Sequence, residues 1–193
     1  MATAGALAVE EREAPAAKGV CLMAVLISIH PEWCEKIASG QKTMEVRKTR
    51  PKLETPFKCY IYCTKGHNEA LWRYQGEYYY DTQFPNERPN TANSKVIGEF
   101  VCDSIRCFDV PYPAFQSKMD KQILEQSCLT YYQLHRYAYH EKLYGWHISD
   151  LVIYDKPKEL SEFRGLRKTK FGLEPVRLNR PPQSWCYVEE VTP

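Results

Sequence analysis

Apolar positions in this chain come in short runs broken by proline, glycine and charged turns, a rhythm that predicts many short strands and few helices. Residues 24–29 (AVLISI) are rich in β-branched side chains and end at His30-Pro31, which predicts a strand followed by a turn. Pro31 then opens a short helix over residues 31–38, with Trp33 and Ile37 four apart and Ser39-Gly40 as its stop. In residues 42–47 the polarity alternates, so Met44 and Val46 face one way and Glu45 and Arg47 the other. Residues 57–63 alternate again, with Cys59, Ile61 and Cys63 on one face and Tyr60 and Tyr62 on the other. Residues 96–102, 145–154 and 185–189 read as further strands, and the proline at 157 punctuates the second of these. Residues 119–143 read as helical, with Ile123, Leu124 and Leu134 as apolar positions.

Three stretches carry no such pattern. Residues 1–22 are small or charged and are expected to be a disordered tail, or a vector or upstream remnant, with Met23 as the expected native start. Residues 64–94 are rich in Gly, Asn, Tyr and Pro, including Tyr78, Tyr79 and Tyr80, and are expected to form a long insertion without regular structure. Residues 161–180 are polar and basic. About six strands with short helices between them imply an α+β domain over residues 23–193, built on a closed or nearly closed mixed sheet.

Length and composition agree with one domain: 193 residues, 26 % charged and 13 % aromatic, values of a chain that buries a core. A formal charge of +2 excludes an all-round basic coat, so any nucleic-acid contact must be local. Two segments concentrate charge. Residues 42–58 hold six cations and two anions, and residues 164–180 hold six cations with Glu174 as their one anion. No apolar run approaches the roughly 18 residues of a membrane span, and Glu10, Glu11 and Glu13 stand where a secretion signal wants positive charge. A cytoplasmic protein is expected, with its eight cysteines reduced. Zinc spacing is missing, as are GxSxG and P-loop motifs, so neither a metal nor a cofactor is expected.

The chemistry concentrates in residues 39–48, SGQKTMEVRK. A helix end passes through Gly40 into a strand, with Lys42 at its mouth and Glu45 and Arg47 on one strand face. Alternation puts Lys42 on the other face unless the turn re-aims it. A solvated salt-bridge face is the bland alternative.

Gly40, Lys42, Glu45 and Arg47 fill every fixed position of GxKxxExR, the signature of the ASCH family. The chain resembles that family from about residue 23 to its end, through the flanking strand, turn and helix and through the segments at 96–100, 146–151 and 180–188. The resemblance implies a PUA-like mixed β-barrel with peripheral helices and a cleft that in PUA relatives receives RNA. It makes Lys42, Glu45, Arg47, Lys48 and Arg50 candidates for nucleic-acid binding, and adds Trp146, Ser149, Arg180, Gln183 and Trp185. Trp146 and Trp185 are candidates for stacking an unpaired base, whereas Trp33 reads as a helix-core residue.

Some members of the family resemble ribonucleases, and some are amidohydrolases that remove an acyl group from the amine of a modified cytidine. In the amidohydrolase branch a threonine nucleophile stands two residues before the motif arginine, where this chain has Glu45. A carboxylate does not replace an attacking hydroxyl. Catalysis here would use Glu45 to activate water and Lys42 to transfer a proton or stabilise charge. The favoured expectation is RNA or nucleotide binding without catalysis. The alternatives are a small hydrolase of a modified nucleoside or RNA, and a protein-interaction module that uses the tyrosine-rich segment.

Overall fold

In chain order the elements are β1 (Met23–Ile29), α1 (Pro31–Ala38), β2 (Met44–Arg47), β3 (Phe57–Cys63), β4 (Ala70–Tyr74), β5 (Glu77–Asp81), β6 (Lys95–Cys102) and β7 (Ile105–Phe108). They continue with α2 (Lys121–Ser127), α3 (Tyr131–Ala138), β8 (Leu143–His147), β9 (Ser149–Glu159), β10 (Arg164–Thr169), β11 (Gly172–Arg177) and β12 (Trp185–Glu189). The computed structural model describes residues 22–191, so the expected tail lies outside the described residues apart from Leu22, whose carbonyl accepts from the Glu190 N–H at 2.8 Å.

β1 is apolar on both faces because both faces are covered, as a central strand requires. It runs parallel to β3 and antiparallel to β12 in a seven-stranded sheet ordered β11-β10-β12-β1-β3-β6-β9. On one face Val25, Ile27 and Ile29 pack with Cys34 and Ile37 of α1, with Cys59, Ile61 and Cys63 of β3, and with Trp146. On the other, Ala24 and Leu26 pack with Tyr60, Tyr62, Phe163 and Val188. The alternation expected of β3 is therefore present, with both of its faces buried.

A second sheet, ordered β2-β8-β7, grows from the first. The neighbours β6 and β9 pass through Asp103-Ser104 and Ile148 into the neighbours β7 and β8, and the His147 N–H donates to the Ser104 carbonyl at 3.0 Å across this corner. Within the first sheet Gly98 lets β6 and β9 approach, since a Cβ there would lie 2.4 Å from the Val152 carbonyl oxygen. α2 and α3 close over the second sheet, where Met44 and Val46 meet Ile123, Leu134 and Leu143.

The α+β class holds, but the closed barrel of about six strands does not. Twelve strands form three sheets, and among the described residues no ladder joins their edges. The outer strand β11 is paired only to β10 and contains Pro175, which has no N–H to donate to a further neighbour. Residues 64–94 are not featureless either. They form the β4–β5 ribbon around Gln75-Gly76, both at positive φ as a tight hairpin turn requires, and they bury Leu71 and Tyr78. β9 runs on through Pro157 because the β6–β9 register jumps from Val96↔Lys158 to Gly98↔Ile153, which places the proline in a bulge outside the ladder. No helix among the described residues is long and apolar enough to cross a membrane.

Candidate functional site

The C-terminal end of β1 meets α1, β2, α3 and the approach to β12 around a cleft of about 610 Å³. α1 ends with the Ser39 N–H donating to the Glu35 carbonyl at 2.9 Å, and Gly40 then takes φ +75°, the left-handed conformation that glycine adopts without strain. The chain turns back at once: the Lys42 N–H donates to the Lys36 carbonyl and the Thr43 N–H to the Gln126 carbonyl. Lys42 therefore sits in this turn, before β2 begins at Met44, and strand alternation does not govern its direction.

The turn does re-aim Lys42. Its Nζ lies 3.3 Å from Glu45 Oε2, donates to the Ser127 carbonyl at 2.7 Å and stands 5.4 Å from the centre of the Trp33 ring. On the other side of the carboxylate, Arg47 Nε lies 3.0 Å from Glu45 Oε1, although its N–H is not aligned with that oxygen. Arg47 Nη2 donates to the Ser28 carbonyl at 2.6 Å, tying β2 to the end of β1. The Lys42 and Glu45 side chains are only 2 % and 9 % exposed, so the solvated-face alternative is excluded. Burying three charged groups is tolerated because each meets an opposite charge or a carbonyl. Two cations and one carboxylate leave a net positive charge at the cleft floor.

The walls come from distant parts of the chain. Ser28 donates through Oγ to the Pro182 carbonyl at 2.6 Å and through its N–H to the Ser184 carbonyl at 2.9 Å, which holds Gln183 and Ser184 at the rim. Gln133 and Tyr137, one turn apart on α3, line the opposite wall with Lys48 and Leu129. Thr130 caps α3, and its N–H and hydroxyl both donate to Gln133 Oε1, which fixes that side chain. Cys34, beneath the cleft, stays a thiol: burial first, then its hydrogen bond with Cys63, pushes its pKa well above the usual value.

Of the residues expected from the sequence, Lys42, Glu45, Arg47, Lys48 and Gln183 line the cleft. Trp146 does not. It is fully buried, edge-on to Phe57 and Trp185 with ring centres 6.0 Å apart in each case, and has no face to offer a base. Trp185 is half-buried and acts through Thr49, a cleft residue, whose Oγ1 accepts from its indole N–H at 3.0 Å. Ser149 donates to the Val101 carbonyl at 2.9 Å and serves the corner between the sheets. Arg50 and Arg180 are exposed and lie outside the cleft lining.

Trp33, expected in the core, packs against it and also lines the cleft above Lys42. Ser28, His30, Gln133, Tyr137 and Ser184 were not legible as site residues, although the Thr130-x-x-Gln133 capping signature does mark where α3 starts. Much of the charge in residues 42–58 is internally spent: Lys48 pairs with Glu141 at 3.0 Å, and Lys58 with Glu99 and Glu190 at 3.2 Å each.

Comparison with known proteins gives the following. The ASCH domain family model matches residues 27–155, which takes in the whole Lys42–Glu45–Arg47 motif. Among solved structures, the chain is similar to the ASCH crystal structure from Zymomonas mobilis, with a TM-score of 0.48, 20 % identity, and coverage of 86 % of this chain and 88 % of that one. It is also similar to a tyrosine-to-phenylalanine mutant of the Zymomonas mobilis protein, with a TM-score of 0.47, 19 % identity, and coverage of 86 % and 91 %. No curated protein sequence matches.

Proposed function

The chain belongs to the ASCH domain family, and on that premise we propose that it binds single-stranded RNA or a nucleotide in the cleft at the end of β1. The observation that carries this reading is the buried Lys42–Glu45–Arg47 cluster at the cleft floor, positive in sum and walled by Trp33 and Tyr137. Cations supply donors to phosphate or base oxygens, Glu45 is an acceptor for an exocyclic amine, and the flanking rings offer faces to a splayed base. Lys48, 38 % exposed at the rim, meets phosphate as a point charge by exchanging its exposed partner Glu141 for it.

Hydrolysis through a hydroxyl nucleophile is disfavoured by what surrounds the lysine. Among the described residues Lys42 Nζ contacts the Ser127 carbonyl, Glu45 and the Trp33 ring, and no side-chain hydroxyl or thiol stands within hydrogen-bond distance of it. Nearby Ser28 already donates its hydroxyl proton to the Pro182 carbonyl. The remaining catalytic route is Glu45 acting on a water with Lys42 as the acid.

Titration of fluorescent single-stranded RNA, read by anisotropy, together with mass spectrometry of acylated cytidine nucleosides and RNA, separates the two. Binding that weakens with salt, that is lost in Lys42→Gln, and that occurs without a mass change is the expected result. Turnover by wild type that disappears in Lys42→Gln would make the protein a hydrolase and overturn the binding reading.

A further inference from the structure

Residues 161–180 gave no strand pattern, yet they fold into the β10–β11 hairpin with nearly every position in contact with solvent. Arg164 stands directly opposite Arg177, and Lys168 opposite Leu173, on the same face of the hairpin. Like charges directly opposed on a ladder destabilise it, and neither arginine has a carboxylate within 4.0 Å among the described residues. Glu174, opposite Arg167, accepts instead from the Thr169 hydroxyl at 3.2 Å, and Arg167 too has no carboxylate within 4.0 Å among the described residues. Arg164 and Arg177 line a depression of about 320 Å³ together with Ser161, Phe163, Pro175 and Val176. At the tip Phe171 is 82 % exposed, with Lys170 Nζ 4.8 Å from its ring centre.

Direction ties the hairpin to the cleft. Gly165 pairs with Val188 of β12 in antiparallel sense, so β10 runs from the far end of β12 towards the end where Gln183 and Ser184 line the cleft. At about 3.3 Å per residue, the five steps from Arg164 to Thr169 span roughly 17 Å.

We infer that the β10–β11 hairpin is a second contact for the same single-stranded RNA, with Arg164 and Arg177 jointly holding one backbone phosphate and Lys168 continuing the track. The inference rests on the RNA-binding reading of the cleft. Two arginines facing one depression suit a phosphodiester, which takes paired N–H donors from a guanidinium. Protection of an exposed sheet edge does not account for the pattern. That role needs cations on the outer strand β11, where Arg177 is the one cation, whereas Arg164, Arg167 and Lys168 lie on β10, which pairs β11 along its length and β12 at Gly165. A membrane surface would engage the aromatic tip and leave the arginine pair at the opposite end of the hairpin unused.

The test is anisotropy with a dinucleotide, which fills the cleft alone, and with a 10-nucleotide RNA, for wild type, Arg164→Gln/Arg177→Gln and Arg164→Lys/Arg177→Lys, each shown folded by circular dichroism. The expected result is an affinity for the longer RNA about tenfold lower in the glutamine variant, with its salt slope reduced by about 0.7 for the one lost phosphate contact. Dinucleotide affinity stays unchanged, and the lysine variant recovers part of the loss. If wild type binds the longer RNA no better than the dinucleotide while Lys42→Gln still abolishes dinucleotide binding, the hairpin inference falls and the cleft reading stands. If wild type binds neither, both fall. Equal affinity of wild type and glutamine variant for the longer RNA also overturns the inference, as does binding to phosphatidylserine vesicles without binding to RNA.

Discussion

Glu45 occupies the place where the chain's electrostatics are most constrained, with Lys42 on one side of its carboxylate and Arg47 on the other. Replacing it by Gln keeps the shape and removes the counter-charge, leaving two cations without their shared partner. Breaking a buried pair in this way costs about 3–5 kcal/mol, so urea denaturation of Glu45→Gln should show a loss of that order, and Lys42→Met, which leaves Glu45 with Arg47, a smaller one. A second residue-scale expectation concerns pH. Burial pushes the Cys102 thiol up to about 12 and the Tyr78 hydroxyl up to about 12. Both groups stay protonated in the folded chain after their unfolded counterparts begin to ionise near pH 9 and 10. Because the unfolded state then binds fewer protons, stability is full below those values and declines as pH rises towards 12. Melting temperatures measured from pH 8 to 11 should fall above pH 9, and Cys102→Ala should make that fall shallower.

At the scale of elements, α3 links stability to the site. The Thr130 hydroxyl accepts from the Gln133 N–H at 3.3 Å, while Gln133 Oε1 accepts from the Thr130 N–H at 2.8 Å. Thr130→Ala should cost about 1 kcal/mol through the lost cap. It should also weaken RNA binding, because Gln133 at the cleft wall loses its anchor; thermal melts and anisotropy on one preparation check both. The elements that could be read from the sequence are those with a buried face. β1, β3, β6, β12 and α1 place apolar side chains at regular steps, since each packs against the central core. β10 and β11 have little to bury, so RGLRKT and GLEPVR show no alternation, and their pairing is visible only once the backbone is in place. β7 escaped for the same reason, with Phe108 as its one buried residue.

Across the whole molecule, the site is a convergence at one end of β1. Its floor was readable because Lys42, Glu45 and Arg47 lie within six residues of one another and are aimed by a helix stop and a strand. Its walls were not, because Gln133 and Gln183 come from segments more than 80 positions away, and the backbone hydrogen bonds that tie those segments in, Thr43 N–H to the Gln126 carbonyl and Ser28 N–H to the Ser184 carbonyl, are ones any side chain would allow. Charge counts misled in a similar way. Residues 42–58 look as basic as residues 164–180, but Glu99, Glu141 and Glu190 neutralise much of the first cluster from elsewhere in the chain. Trp146 looked available because sequence cannot distinguish a ring facing a cleft from one facing a core.

The central claim is that the cleft at the end of β1 is where RNA binds, and a titration of isotope-labelled protein with a short single-stranded RNA, followed by amide and indole chemical shifts, locates the ligand directly. The account predicts saturable shifts centred on Ser28, Trp33, Arg47, Gln133 and Ser184. Shifts confined to the β4–β5 ribbon, or none at RNA concentrations that saturate binding by anisotropy, would contradict it.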